Sequence, residues 1–368
     1  MAMKSHNMDI FSEIPDPRVT GRCRHKLSDI LFIALCTVLA NGEDCVDMVS
    51  FATYREEWLK SFIELPNGIP SDDTFRRVLQ LVEPQSLSKI LERKGQELAD
   101  CLDGKLISID GKKIKGENPK SQGNKGLYVL SAWANDNGLC IGQTKVDDKS
   151  NEITAIPELL KEIDIKGATV SIDAIGCQES IADLISTKEA NYLLSVKKNQ
   201  KNLFEEISEG FKHSPIKDHS ENWDYGHGRY EVRKCSILSA NEIFSPVQLL
   251  KWPSANIVIM IEASRTIEGV TNTNTRYYIS NLEAVSAEQC NNLVRSHWGI
   301  ENKLHWHLDV TFQEDKCRLR TGNAAVNMNL LRKKALFMVK EMNDKWSLKK
   351  RRYRCSLDIN YLSKVIRN

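Results

Sequence analysis

Two short runs of the chain constrain its fold most: Leu106-Ile107-Ser108-Ile109-Asp110-Gly111 and Val170-Ser171-Ile172-Asp173-Ala174. Each is apolar and ends in Ser-Ile-Asp followed by a small residue. Alternation at the strand period puts Ser108 and Asp110 on one face and Ile107 and Ile109 on the other; Ser171 and Asp173 oppose Val170 and Ile172 in the same way. A buried strand whose apolar run stops at Asp presents that Asp at its C-terminal end, the edge where open α/β sheets carry their sites. If the two strands are parallel neighbours, the carboxylates stand side by side. Two such anions repel unless a cation lies between them, and a divalent metal is the natural one.

A third carboxylate lies far downstream. The stretch His297-Trp298-Gly299-Ile300-Glu301-Asn302-Lys303-Leu304-His305-Trp306-His307-Leu308-Asp309 holds three of the chain's eight histidines and two tryptophans. At helical period, His297, Glu301, His305 and Asp309 fall four apart, which predicts one shared face. Trp298, Ile300, Leu304 and Leu308 fill the flanking apolar stripe. A zinc hydrolase is an alternative reading of such a helix. The zincin pattern, however, sets its Glu beside the first His, and Glu301 is four from each.

The window from Arg295 to Asp315, with His-Trp-Gly-Ile-Glu-Asn, Leu-His-Trp and Leu-Asp-Val-Thr-Phe-Gln-Glu-Asp, resembles the DDE insertion-sequence transposases that include the H-repeat-associated proteins. The stretch from Ile10 through Pro84 is similar to that family's associated domain. It carries Ile14-Pro15-Asp16-Pro17-Arg18 and Gly68-Ile69-Pro70-Ser71-Asp72-Asp73-Thr74-Phe75. The resemblance implies an α/β fold with a ribonuclease-H-like mixed sheet and the acidic triad Asp110, Asp173 and Glu301. It implies Mg²⁺ or Mn²⁺, two ions, in metal-dependent cleavage and strand transfer of double-stranded DNA. The DNA would be element ends and target, held in a complex by a homodimer. A transposase-derived DNA-binding protein with impaired catalysis is the other reading of the same resemblance.

The supporting residues follow from position. Lys112 shares the Asp110 face by alternation and is expected at a phosphate, with Lys113 beside it. His297, His305 and Asn302 flank Glu301. The broader family carries Tyr, Arg and Lys seven before, four before and seven after the last acid; here Val294, His297 and Leu308 stand there. Histidine replaces the Arg as a cation only when protonated, and the charge of Glu301 one turn away is expected to favour that form.

The formal charge of +2 says little, but its distribution says more. From Lys316 to Arg354, 13 Lys/Arg face only Glu341 and Asp344, a balance of +11. Arg318, Arg320, Arg351 and Arg352 are expected there as DNA-phosphate contacts, as are Arg229 and Arg233 upstream. Ten cysteines form no Cys-x-x-Cys pair, which argues against a zinc ribbon, and no apolar run is long enough for a membrane span. A reduced, cytoplasmic setting is the expectation.

The chain divides by pattern. Residues 1–100 read as a helical domain, with Ser71 capping one helix and a further helix from Ser86 to about Leu102. Residues 101–198 and 285–345 read as the catalytic domain, in the order β-β-β-α-β-α-β and then the Glu301 helix. The first strand runs to Gly116, and Asn135-Asp136-Asn137-Gly138 is a hairpin turn signal. Residues 199–284 read as a mostly β insertion and 346–368 as a basic tail.

Overall fold

The strand pattern is realised as a single nine-stranded sheet. The computed structural model describes residues 9–99, 102–114, 127–146, 151–226 and 228–368. The expected end of the first strand (115 and 116) and positions 100 and 101 of the helix expected from Ser86 lie outside the described residues. The strands are β1 Leu106–Ile114, β2 Leu127–Ala134, β3 Leu139–Val146, β4 Thr169–Ile172, β5 Asn191–Val196, β6 Asp218–Gly226, β7 Arg229–Ser239, β8 Ile257–Ile267 and β9 Val270–Ser280. Their order is β3-β2-β1-β4-β5-β9-β8-β7-β6.

At the centre, β1, β4 and β5 run parallel. β4 is buried at every position, as a central parallel strand flanked on both sides must be, and its Thr-Val-Ser-Ile composition suits that burial. The β2–β3 turn closes on Gly138 at φ +62, a left-handed conformation that glycine adopts freely. From β5 onward the pairing is antiparallel through β9, β8, β7 and β6. Residues 199–284 therefore extend the sheet itself. Their buried face, with Cys235, Ile237, Ile259 and Ile261, packs on the helix Ala287–His297 through Ala287, Cys290 and Val294.

The chain forms two compact units. One comprises Leu98–Gly111 and Leu130–Glu301, and so holds most of the sheet. The other comprises Met1–Glu97, Lys112–Val129 and Asn302–Asn368. In this second unit the helix Leu27–Leu39 is buried along nearly its whole length. It packs with the helices Cys45–Tyr54, Asp72–Leu81 and Ala324–Lys340. Ser71 caps Asp72–Leu81 by accepting from the Thr74 N–H at 3.3 Å. Residues 346–368 contain two helices, Leu348–Leu357 and Ile359–Arg367, because Leu362, Val365 and Ile366 recur at helical spacing and bury one face. Among the described residues no helix is long and apolar enough to cross a membrane.

Candidate active site

The register of the parallel strands builds the site. Ser108 pairs with Ser171 and Ile109 with Ile172. One step further along both strands stand Asp110 and Asp173. The two serines, on the same face as the acids, are almost completely buried. Each is used: the Asn135 amide donates to Ser108 Oγ at 2.6 Å, and Ser171 Oγ shares a hydrogen bond of 2.9 Å with His297 Nδ1. The repeated Ser-Ile-Asp thus places an acid at the sheet edge and a hydroxyl anchor beneath it.

Asp110, Asp173, His297 and Glu301 line one cavity of about 660 Å³. Carboxylate oxygens of Asp110 and Glu301 lie within 4.8 Å of each other. Asp173 follows the end of β4 and accepts from the Ile175 N–H at 3.0 Å. Two carboxylates at this separation fit a divalent cation such as Mg²⁺ or Mn²⁺. Burial pushes the His297 imidazole down to about 4, against the opposing pull of the Asp173 charge. His297 is therefore neutral at pH 7. The expectation of a cation favoured by Glu301 is overturned, because loss of solvent outweighs the nearby anion.

Comparison with known proteins decides the family. A family model described as "Transposase DDE domain" matches residues 98–338, and one described as "DDE_Tnp_1-associated" matches residues 8–93. The chain belongs to the DDE transposase family. Among its relatives, "Putative transposase YncI" of Escherichia coli O157:H7 is 36% identical, with 98% of this chain and 94% of that protein covered. "H repeat-associated putative transposase YhhI" of Escherichia coli K12 is 34% identical, with 98% and 97% covered. The shorter "Inactive transposase YbfQ" of the same strain is 38% identical over 20% of this chain. A solved piggyBac transposase synaptic complex with hairpin DNA is 12% identical at TM-score 0.44, covering 98% of this chain and 80% of that one.

The helix of this transposase-family site differs from the expected one. Its α-helical part ends at His297, and Glu301–His305 and His307–Thr311 are wider π-helical turns. Their hydrogen bonds run from i to i+5, which shifts the angular position of the residues that follow. His305 is buried at 3% exposure and Asn302 is exposed.

Several cations expected at DNA are committed elsewhere. Lys112 Nζ lies 2.5 Å from Asp309 Oδ1 and 2.7 Å from Glu314 Oε2. Glu314 is fully buried and also accepts from Asn329 at 2.8 Å, with Arg332 at 3.9 Å. Burial alone would raise the Glu314 carboxyl, but the charges of Lys112 and Arg332 hold it below its usual range. A lysine holding a buried carboxylate in this way is not available to phosphate. Arg352 is 1% exposed. It donates to the Val38 carbonyl at 2.8 and 3.1 Å and to the Thr311 carbonyl, and lies 4.1 Å from the Phe312 ring centroid. Arg351 is buried too, donating to the Val339 carbonyl and pairing with Asp344 at 2.8 Å. Both arginines bolt helix ends together, which corrects their expected role at DNA. Arg229 pairs with Glu231 at 3.1 Å, whereas Arg233 is partly buried with no partner for its Nε among the described residues. Lys113, Arg318 and Arg320 are exposed.

Two cavity cations have no signal in the sequence. Lys197, just past β5, and Arg276, on β9, line the same cavity as the three acids. Their meeting depends on a strand pairing between residues about 80 apart, which no local pattern announces.

Proposed function

We propose that this protein cleaves and rejoins DNA strands at the ends of a mobile element, through a ribonuclease-H-like catalytic core carrying Asp110, Asp173 and Glu301. The convergence of these three carboxylates on one cavity is the observation that carries the reading. Central strands in the order β2-β1-β4-β5, with β1, β4 and β5 parallel, support that core. Double-stranded DNA is the substrate, two copies of the chain act in the complex, and the setting is the cytoplasm.

Asp110 and Glu301 would hold the divalent cation, and Asp173 joins them by turning its carboxylate from the Ile175 N–H. When bound, two such ions activate the attacking oxygen and stabilise the leaving one in an in-line displacement. The chain's own groups do the rest. His297, neutral and tied to Ser171, fills the wall beside Asp173. The buried Ser108–Asn135 bond fixes the strand that presents Asp110. Phosphate contact falls to cations that remain exposed, with Lys113, Arg318 and Arg320 as candidates at the surface.

The test is Mn²⁺ binding to the full chain by calorimetry, together with Mg²⁺-dependent cleavage of the DNA flanking its own coding region. Glu301→Gln should weaken Mn²⁺ by more than about 100-fold, since a direct ligand matters more than the outer-shell groups worth 10–100-fold. It should abolish cleavage while DNA binding survives. Equal Mn²⁺ affinity in the variant and the parent would overturn the site. Metal binding without cleavage would favour a DNA-binding descendant with impaired catalysis.

A further inference from the structure

We propose that Lys197 and Arg276 form a phosphate-binding subsite inside the cavity, taking a phosphodiester of the DNA strand next to the one that reacts at the carboxylates. The inference rests on the DNA-processing reading above and adds the group that grips the strand. The placement comes from register. On the antiparallel pair β5–β9, Val196 stands opposite Tyr277. Lys197 follows directly after that last pair and Arg276 precedes Tyr277, and both line the same cavity. Two like charges brought to one cavity repel. An anion between them removes that cost.

Among the described residues no carboxylate lies within ion-pair distance of Lys197 or Arg276, although the acids of the same cavity are close by. Elsewhere in this unit exposed cations do pair: Arg265 with Glu231 at 2.8 Å, Arg295 with Asp224 at 3.2 Å. The guanidinium of Arg276 is also held in place, 5.0 Å from the centroid of the Trp298 ring. A stacked guanidinium keeps its fork presented to a planar or tetrahedral oxyanion and loses little freedom on binding. Arg233 lies on the same sheet face, since Arg233 pairs with Ala263, and Ala263 with Asn274, two residues from Arg276 on β9. The cavity thus has an acidic wall and a cationic wall. An acidic wall that gathers metal suits the reacting phosphate. A cationic wall that no carboxylate among the described residues neutralises suits its neighbour along the strand.

The experiment uses the full chain with Lys197→Gln, Arg276→Gln and the double variant. The first readout is the salt dependence of binding to a short duplex with a frayed end. For each phosphate that a variant no longer neutralises, the slope of log K against log salt should fall by about 0.7–0.9. The second readout replaces single phosphates of that DNA with neutral methylphosphonates. One position should weaken binding to the parent protein and leave the double variant unaffected. Mn²⁺ affinity without DNA is measured in parallel. Unchanged slopes, together with no phosphate position coupled to the pair, would overturn the subsite. So would tight binding of inorganic phosphate that disappears in the variants while DNA slopes stay the same, because the pair would then serve a small anion. Failure of the parent to bind Mn²⁺ would instead count against the catalytic reading alone. Should Arg276→Gln fail to fold, the exposed Lys197→Gln carries the same two readouts.

Discussion

Three arginines of the segment from Lys316 to Arg354 and the two cations of the β5–β9 edge use charge in opposite ways. In the first, the most basic stretch of the chain, Arg332, Arg351 and Arg352 are turned inward onto carbonyls, Asp344 and Glu314. In the second, Lys197 and Arg276 face one cavity, and among the described residues no carboxylate neutralises them. Charge density along a sequence therefore says little about charge offered to a ligand. What decides it is whether the fold supplies partners. A planar guanidinium with five donors can satisfy several carbonyls at once, which makes arginine suited to closing buried helix ends.

Three changes press on that contrast. The largest effect is expected at Lys112. Lys112→Met leaves Glu314 buried with Arg332 at 3.9 Å as its remaining cation, and breaking a buried pair in this way costs up to roughly 3–5 kcal/mol. Urea denaturation should show it. The acid limb should change as well. The Glu314 carboxyl is held below its unfolded value, so its contribution is present above the unfolded pKa and lost as pH falls through the folded one. Removing the Lys112 charge should move that loss to higher pH. A stable Lys112→Met protein with weakened DNA binding would return the lysine to the phosphate.

Next is Arg352→Ala. It strips the Val38 and Thr311 carbonyls of their donor and Phe312 of its cation, at about 2–4 kcal/mol, since each buried orphan costs about 1–3 kcal/mol. The same denaturation measurement serves. A stability change under about 0.5 kcal/mol with a reduced salt slope for DNA would mean that the basic stretch faces solvent after all.

The smallest effect appears only in acid and concerns His297, which keeps the cavity wall uncharged. Its folded value of about 4 lies below an unfolded value near 6.5. Protonation therefore favours the unfolded chain. Stability linked to this group is full above pH 6.5 and falls as pH drops towards 4, by at most about 3 kcal/mol. Imidazole NMR of the metal-free protein reads it directly. A resonance that titrates near 6.5 would restore the charged histidine.

The parts of the molecule written in local pattern were legible. The Ser-Ile-Asp runs became β1 and β4 because alternation and burial agree within a few residues. Ser71 capped its helix, and Gly138 closed the β2–β3 turn. What was hidden depends on distant partners. Nothing around Lys112 announces Glu314, and nothing around Arg352 announces Val38. The four-residue spacing from His297 to Asp309 predicted a regular helix, yet the backbone widens at Glu301, and spacing alone does not reveal a change of hydrogen-bond span. Asp110 and Asp173 stand out because each ends an apolar run. Lys197 and Arg276 do not, because each is ordinary until the strands pair.

The widened turns after Glu301 also make the spacing of that segment an angular setting. Each residue of an ordinary helix advances the chain by about 100°. A turn closed over one extra residue resets the phase of everything that follows. In the phase the chain adopts, Asp309 reaches Lys112. Deleting one residue between Asn302 and Leu308 would turn a different side chain towards the lysine, even with every motif residue kept. In this stretch the count of residues is as much a part of the design as their identities.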